Sequence, residues 1–127
     1  MSPAFVPLNS EPLEIAFSEL AEFSRDVERL EKKRLRSLRK DIEVFKKALS
    51  TGPETMSGVV RISDLGEKVK ARIFKAKKFR SRDLQTTDKL RVIFAWFPEK
   101  SRLTLIEIYP KSSQEKEDRE RIFRNFS

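Results

Sequence analysis

The chain has 127 residues, with 28 Lys and Arg against 20 Asp and Glu, a formal net charge of +8, and neither His nor Cys. The length suits one domain, and the two absences exclude disulfides, thiolate nucleophiles, cysteine zinc sites, the Ser-His-Asp triad and HExxH zinc hydrolysis. Any metal site would need oxygen ligands alone, and neither a metal nor another cofactor is expected.

Residues 1–12 (MSPAFVPLNSEP) read as an irregular, flexible arm, and residues 13–127 as the single domain. The opening lacks a basic stretch followed by an apolar run. No apolar run approaches the ~18 residues of a membrane span. The expected location is the cytoplasm, with no membrane partner. Residues 13–17 (LEIAF) alternate like a short strand, with Leu13, Ile15 and Phe17 on one side. Ser18 follows as an N-cap, with Glu19 and Glu22 set to complement the helix dipole. Leu20, Phe23, Val27 and Leu30 then form one helical stripe running to Lys33. Leu35, Leu38, Ile42, Phe45 and Leu49 form a second, ending near Ser50 before Thr51-Gly52-Pro53. The short joint between the stripes, residues 33–37, predicts an antiparallel helical hairpin.

Residues 51–58 are a polar loop, and Val59, Val60 and Ile62 a short extended piece. Three strands are expected after it. Residues 69–79 alternate and then turn basic. Leu90–Phe97 (LRVIFAWF) is nearly all apolar, as a central strand covered on both faces would be. Residues 103–109 (LTLIEIY) are the third, joined to the second by a hairpin at Pro98-Glu99-Lys100-Ser101. Residues 80–88 connect the first two. Residues 114–126 close the chain as a helix capped by Ser112 or Ser113, with Glu115 and Glu117 in its first turn. The order β-α-α-β-β-β-α predicts an α+β domain: one antiparallel, twisted sheet with the helical hairpin packed on one face.

The charge is unevenly placed. Residues 1–31 carry a net −5 and residues 32–47 a net +6. Residues 68–91 carry ten basic and two acidic side chains, a net +8 that equals the excess of the whole chain. Clustered cations repel one another, so such a segment suits a phosphate backbone; a solvated basic strand edge that deters aggregation is the plainer alternative. Lys75 and Lys77 share one strand parity, Lys78 and Arg80 the other, and a bulge near Lys77-Lys78 would be needed to align them. Arg91 lies inside an apolar strand and must meet a carboxylate such as Glu107, solvent or a phosphate. On the last strand Leu103, Leu105, Glu107 and Tyr109 share one parity. Thr104, Ile106 and Ile108 share the other, and this more apolar set is expected against the helices. Glu107 and Tyr109 then face outward, Glu107 as a cross-strand partner or proton relay, Tyr109 as packing or as a catalyst. Cleavage of RNA by its own 2′-OH needs no His: cations stabilise the phosphorane, and a lysine flanked by cations has a lowered pKa.

The order of elements, Lys77-Lys78-Phe79-Arg80-Ser81-Arg82-Asp83-Leu84, Leu90-Arg91-Val92-Ile93-Phe94-Ala95, Ile106-Glu107-Ile108-Tyr109-Pro110-Lys111 and Glu115-Lys116-Glu117-Asp118-Arg119-Glu120-Arg121-Ile122 carry a resemblance over residues 13–122. The chain resembles RelE/ParE-superfamily toxins of bacterial type II toxin–antitoxin systems, and its last two blocks resemble a RelE-like subgroup. The resemblance implies a metal-independent endoribonuclease that cuts mRNA in the ribosome, inhibits translation and is masked by a cognate antitoxin. It implies roles for the basic residues Lys75, Lys77 and Lys78, for Arg91 and for Lys111; with these, Lys77, Arg91, Lys111 and, as a substitute proton relay, Tyr109 are the catalytic candidates, and Lys75, Lys78 and the Arg80 and Arg82 of the basic segment the RNA-binding ones. No Tyr follows Tyr109, so the C-terminal catalytic Tyr of some members has no counterpart, and Phe123 and Phe126 cannot relay protons. Relatives of the ParE kind inhibit DNA gyrase instead, and a catalytically degenerate RNA-binding protein of the same fold is a third alternative.

Overall fold

A computed structural model describes residues 13–33, 35–79 and 89–127. Strand β1 (Ala16–Glu19) leads into helix α1 (Ala21–Lys33) and helix α2 (Leu38–Leu49). Strands β2 (Val59–Ile62), β3 (Arg72–Phe79), β4 (Leu90–Phe97) and β5 (Arg102–Pro110) follow, then helix α3 (Arg119–Phe126). The architecture is α+β in the expected order, on one five-stranded sheet ordered β1-β5-β4-β3-β2. The arm over residues 1–12, and the connection 80–88 with Arg80 and Arg82, lie outside the described residues.

The sheet is mixed rather than wholly antiparallel, because β1 runs parallel to β5, with Phe17 opposite Leu103. Two intervening helices let the chain leave one edge of the sheet and return at the other, so β1 and the later strands need not alternate in direction. The first strand also sits later than the LEIAF pattern suggests. Ser18 is inside it, hydrogen-bonded to Thr104, and does not cap a helix. Glu19 ends the strand with two 2.8 Å bonds from the Arg39 guanidinium of α2. That fork, opposed in part by burial, holds the Glu19 carboxyl below its ordinary pKa.

The stripes of α1 and α2 bury Phe23, Val27, Leu38, Ile42, Phe45 and Leu49 against one face of the sheet. From the sheet they meet Phe74, Phe79, Val92, Phe94, Trp96, Leu103, Leu105 and Ile108. Phe45 stands edge-on to Phe79 with ring centroids 5.1 Å apart. β4 is buried from Val92 to Trp96, with Ile93 and Ala95 facing the other way, toward Ile73, Ile106 and Ile122. The sheet is therefore covered on both sides, by the hairpin and by α3, as the apolar LRVIFAWF run requires.

Two bulges set which side chains face which way. Ile93 pairs with Glu107 but Phe94 pairs with Leu105, leaving Ile106 as an extra residue on β5. The extra residue reverses the alternation, so Leu103, Leu105 and Ile108 pack on the helical hairpin while Ile106, Glu107 and Tyr109 face α3. This corrects the parity reading for Ile106, which was expected on the helices, and for Leu103 and Leu105, which were not; Ile108 lies against the helices as expected. The second bulge lies between Ala76 and Phe79 on β3, at the Lys77-Lys78 position where one was needed.

The terminal helix is shorter than residues 114–126. Asp118 is its N-cap, accepting a hydrogen bond from Arg121 N at 3.1 Å. Neither Ser112 nor Ser113 caps it, and Glu120 rather than Glu115 or Glu117 occupies its first turn. Gln114 Nε2 and Asp118 N both donate to Glu107, at 2.7 and 2.8 Å, which holds this segment along the sheet as turns. The helix itself is moored by Arg121. Its guanidinium donates to Asp26 of α1 and to Ile106 O, both at 2.8 Å, and the same carboxylate accepts from Ile108 N at 3.2 Å. Burial works against that charge, but Asp26 outweighs it, and the Arg121 pKa is raised.

Candidate nucleic-acid interface

The face of the sheet turned toward α3 carries the polar residues in successive cross-strand rows. Lys75, Ile93 and Glu107 lie side by side across β3, β4 and β5. In the next row Arg91 stands opposite Tyr109. Beyond the strand ends, Lys111 N donates to Lys89 O at 3.0 Å, so these two lysines adjoin. Arg91 and Tyr109 thus share a face, a register that strand alternation alone leaves open by one residue.

Arg91 is half-buried and donates from Nη1 to Lys77 O at 2.6 Å. The acceptor is exposed by the bulge, which turns the Lys77 carbonyl toward β4 while Lys77 N donates to Gly58 O. This bond puts the guanidinium beside the Lys77 backbone. It also settles the choice between partners: Glu107 goes to Gln114 and Asp118, not to Arg91. Lys77 is exposed, as is Lys111, and neither forms a salt bridge among the described residues.

Lys78 is turned away. Its Nζ donates to Ser57 Oγ at 2.9 Å, and its chain lies against Gly58, where a Cβ would come within 2.6 Å of Lys78 Cγ. Its side chain also lines the groove that Val44, Phe45 and Ala48 form on α2. Lys75 is on the candidate face but is engaged: its Nζ is 2.7 Å from Glu117 Oε1. Arg80 and Arg82 fall outside the described residues. The structure therefore groups Lys75, Lys77, Arg91, Tyr109 and Lys111, and separates Lys78. Lys89 and Glu117 belong to the same face and were not singled out in the sequence. For Lys89 the signal was present, since it is two residues before Arg91, immediately ahead of the same strand.

Tyr109 is buried, and its phenolic oxygen has no hydrogen-bond partner among the described residues. A buried orphan hydroxyl costs about 1–3 kcal/mol relative to a paired one. Burial is the largest influence on its acidity, the Glu107 and Glu117 charges act in the same direction, and Arg91 opposes them. The phenol is pushed up to about 12. A proton acceptor near neutrality it is not. The chain holds one Tyr, so absorbance titration of tyrosinate reads this group alone. The expected native midpoint is about 12, and a midpoint near the ordinary ~10 would contradict the burial. The stabilising contribution of the neutral phenol is complete below the unfolded pKa near ~10 and is lost as pH rises through the folded value. Tyr109→Phe, which removes an unpaired hydroxyl and keeps the ring, should unfold in urea at the wild-type midpoint or slightly above it.

Glu107 is buried, and burial raises its carboxyl pKa against the lowering effect of Asp118 N and Gln114. For Glu117 burial again acts upward, but Lys75, its own backbone N–H and Arg119 together prevail, and the net shift is downward. Glu117 is therefore an anion at neutral pH. Among the described residues no group of His, Cys, Asp and Glu side chains could hold a metal ion, and no helix is long and apolar enough to cross a membrane. No family model, curated protein or solved structure matches the chain.

Proposed function

We propose that the chain is an RNA-cutting toxin of the RelE/ParE kind, which engages mRNA in the ribosome through the face formed by β3, β4 and β5 and is restrained by a cognate antitoxin. The observation that supports this reading best is the junction of Lys77 and Arg91. A bulge brings an exposed lysine and a strand arginine together by a 2.6 Å bond to the Lys77 carbonyl, with Lys89 and Lys111 at the adjoining strand ends. Such a junction fits a scissile phosphate and its neighbour.

In this reading the ribose 2′-OH attacks the adjacent phosphorus, and the 5′-oxygen leaves. The products are a 2′,3′-cyclic phosphate and a 5′-hydroxyl end. Lys77 takes and returns the proton, while the guanidinium of Arg91 and the ammonium of Lys111 meet the charge that builds on the phosphorane oxygens. Tyr109, neutral and buried, supports Arg91 from the opposite strand and does not relay the proton. The burial of that phenol favours a second reading, an RNA-binding member of the same fold that does not cut. Induction of the chain without a partner tests both. Cutting predicts growth arrest with broken mRNA, relieved by Arg91→Ala; binding alone predicts intact mRNA.

A further inference from the structure

Residues 111–118 run between β5 and α3 as turns, and Glu117 is the only one of them that is buried. Its side chain, 3% exposed, reaches under the segment to the sheet. There Oε1 lies 2.7 Å from Lys75 Nζ and Oε2 3.0 Å from Arg119 Nε. Oε1 thus has the Lys75 ammonium as its ion-pair partner, while Tyr109 Oη on the same face has no hydrogen-bond partner among the described residues. A buried carboxylate–ammonium pair and an unpaired hydroxyl therefore share this face, where native interiors seldom leave a polar atom unmatched.

A carboxylate seated on an ammonium has the shape of a phosphate contact: two oxygens, one of them on the cation. We propose that Glu117 is a built-in stand-in for a backbone phosphate, occupying a Lys75 subsite that an RNA phosphate takes over when residues 112–117 lift. Beyond Glu117's own ion pairs, the segment is held by Gln114 on Glu107 and is otherwise mostly exposed, so residues 112–117 can lift while Asp118 keeps its bonds to Glu107 and to Arg121 N. The inference rests on the RNA-binding reading of this face and adds its regulation.

The test is anisotropy of a labelled single-stranded RNA oligonucleotide with the purified full chain across a salt series. Glu117→Gln keeps the shape and removes the charge. Expected is binding ~5-fold tighter at low salt, with the slope of log K against log salt steeper by ~0.7, one further phosphate. Glu115→Gln makes the same charge change at an exposed position of the same segment and should gain less than half of that. Lys75→Gln should abolish the gain in Glu117→Gln. Equal gains from Glu115→Gln and Glu117→Gln, or a gain that survives Lys75→Gln, would overturn the stand-in while leaving the RNA reading intact. Absence of RNA binding in the wild type and in Glu117→Gln alike would overturn both. Glu117→Asp, which keeps the charge but shortens the reach, should show a partial gain, and serves if the Gln variant folds poorly.

Discussion

Asp26→Ala should lower the free energy of unfolding in urea by about 3 kcal/mol, the largest loss expected from one polar side chain in this fold. Asp26 is 3% exposed and holds three structural units at once. Its Oδ2 accepts from Arg121 Nη1 of α3 and from the Ile108 amide of β5, while the residue itself belongs to α1. Removal strands a buried guanidinium and the Ile108 amide together, and it is the stranded groups rather than the lost attraction that set the cost. Glu22, 3.4 Å from Arg121 Nε, compensates in part, which keeps the value at the lower end of the range for broken buried pairs. Asp26→Asn should cost less, because an amide oxygen still accepts from Ile108 N. Arg121→Leu offers the complementary measurement, since it removes the cation and leaves Asp26 with the Ile108 amide and the exposed Arg29. Equal stability of wild type and Asp26→Ala would show that α3 is not moored through this pair.

Lys77→Glu should weaken binding to single-stranded RNA at least ~10-fold at low salt and reduce the salt slope by ~0.7 for the phosphate lost, with a further penalty for the introduced anion. Lys78→Glu makes the same charge change one residue later and should cost about twofold. The contrast follows from the bulge. Lys77 is exposed at the Arg91 junction, whereas Lys78 is bonded to Ser57 and directed along the groove beside α2. Equal losses from the two reversals would mean that the protein is read by RNA as a diffuse basic surface, without the geometry that distinguishes these neighbours.

Much of this scaffold is legible in the residues themselves. The run Leu90–Phe97 is a strand over its whole length because both of its faces are covered. Of the residues that the two helical stripes name, Phe23, Val27, Leu35, Leu38, Ile42, Phe45 and Leu49 are buried and Leu20 and Leu30 partly so, with Leu20 and Leu35 just ahead of the helices. What escaped has a common cause, in that it depends on partners remote in the chain. Leu103 and Leu105 share parity with Glu107 and Tyr109, yet one extra residue at Ile106 sends the two pairs to opposite faces. The start of α3 moved to Asp118 because Gln114 and Asp118 N are drawn to Glu107. The parallel pairing of β1 with β5 rests on a neighbour at the far end of the sequence. In the candidate site, the basic strand, Arg91, Tyr109 and Lys111 were visible as residue types. The Lys75–Glu117 pair and the departure of Lys78 were not, because neither spacing nor composition tells which of several cations a buried carboxylate will meet.

The cutting of RNA at the Lys77–Arg91 junction is tested most directly by primer extension on translated mRNA after induction of the chain without a partner. The expected result is new 5′ ends within coding sequence in the wild type, their loss in Arg91→Ala and Lys77→Ala, and their persistence in Lys78→Glu. Transcripts left intact by the wild type, or cuts that continue unchanged in Arg91→Ala, would contradict it.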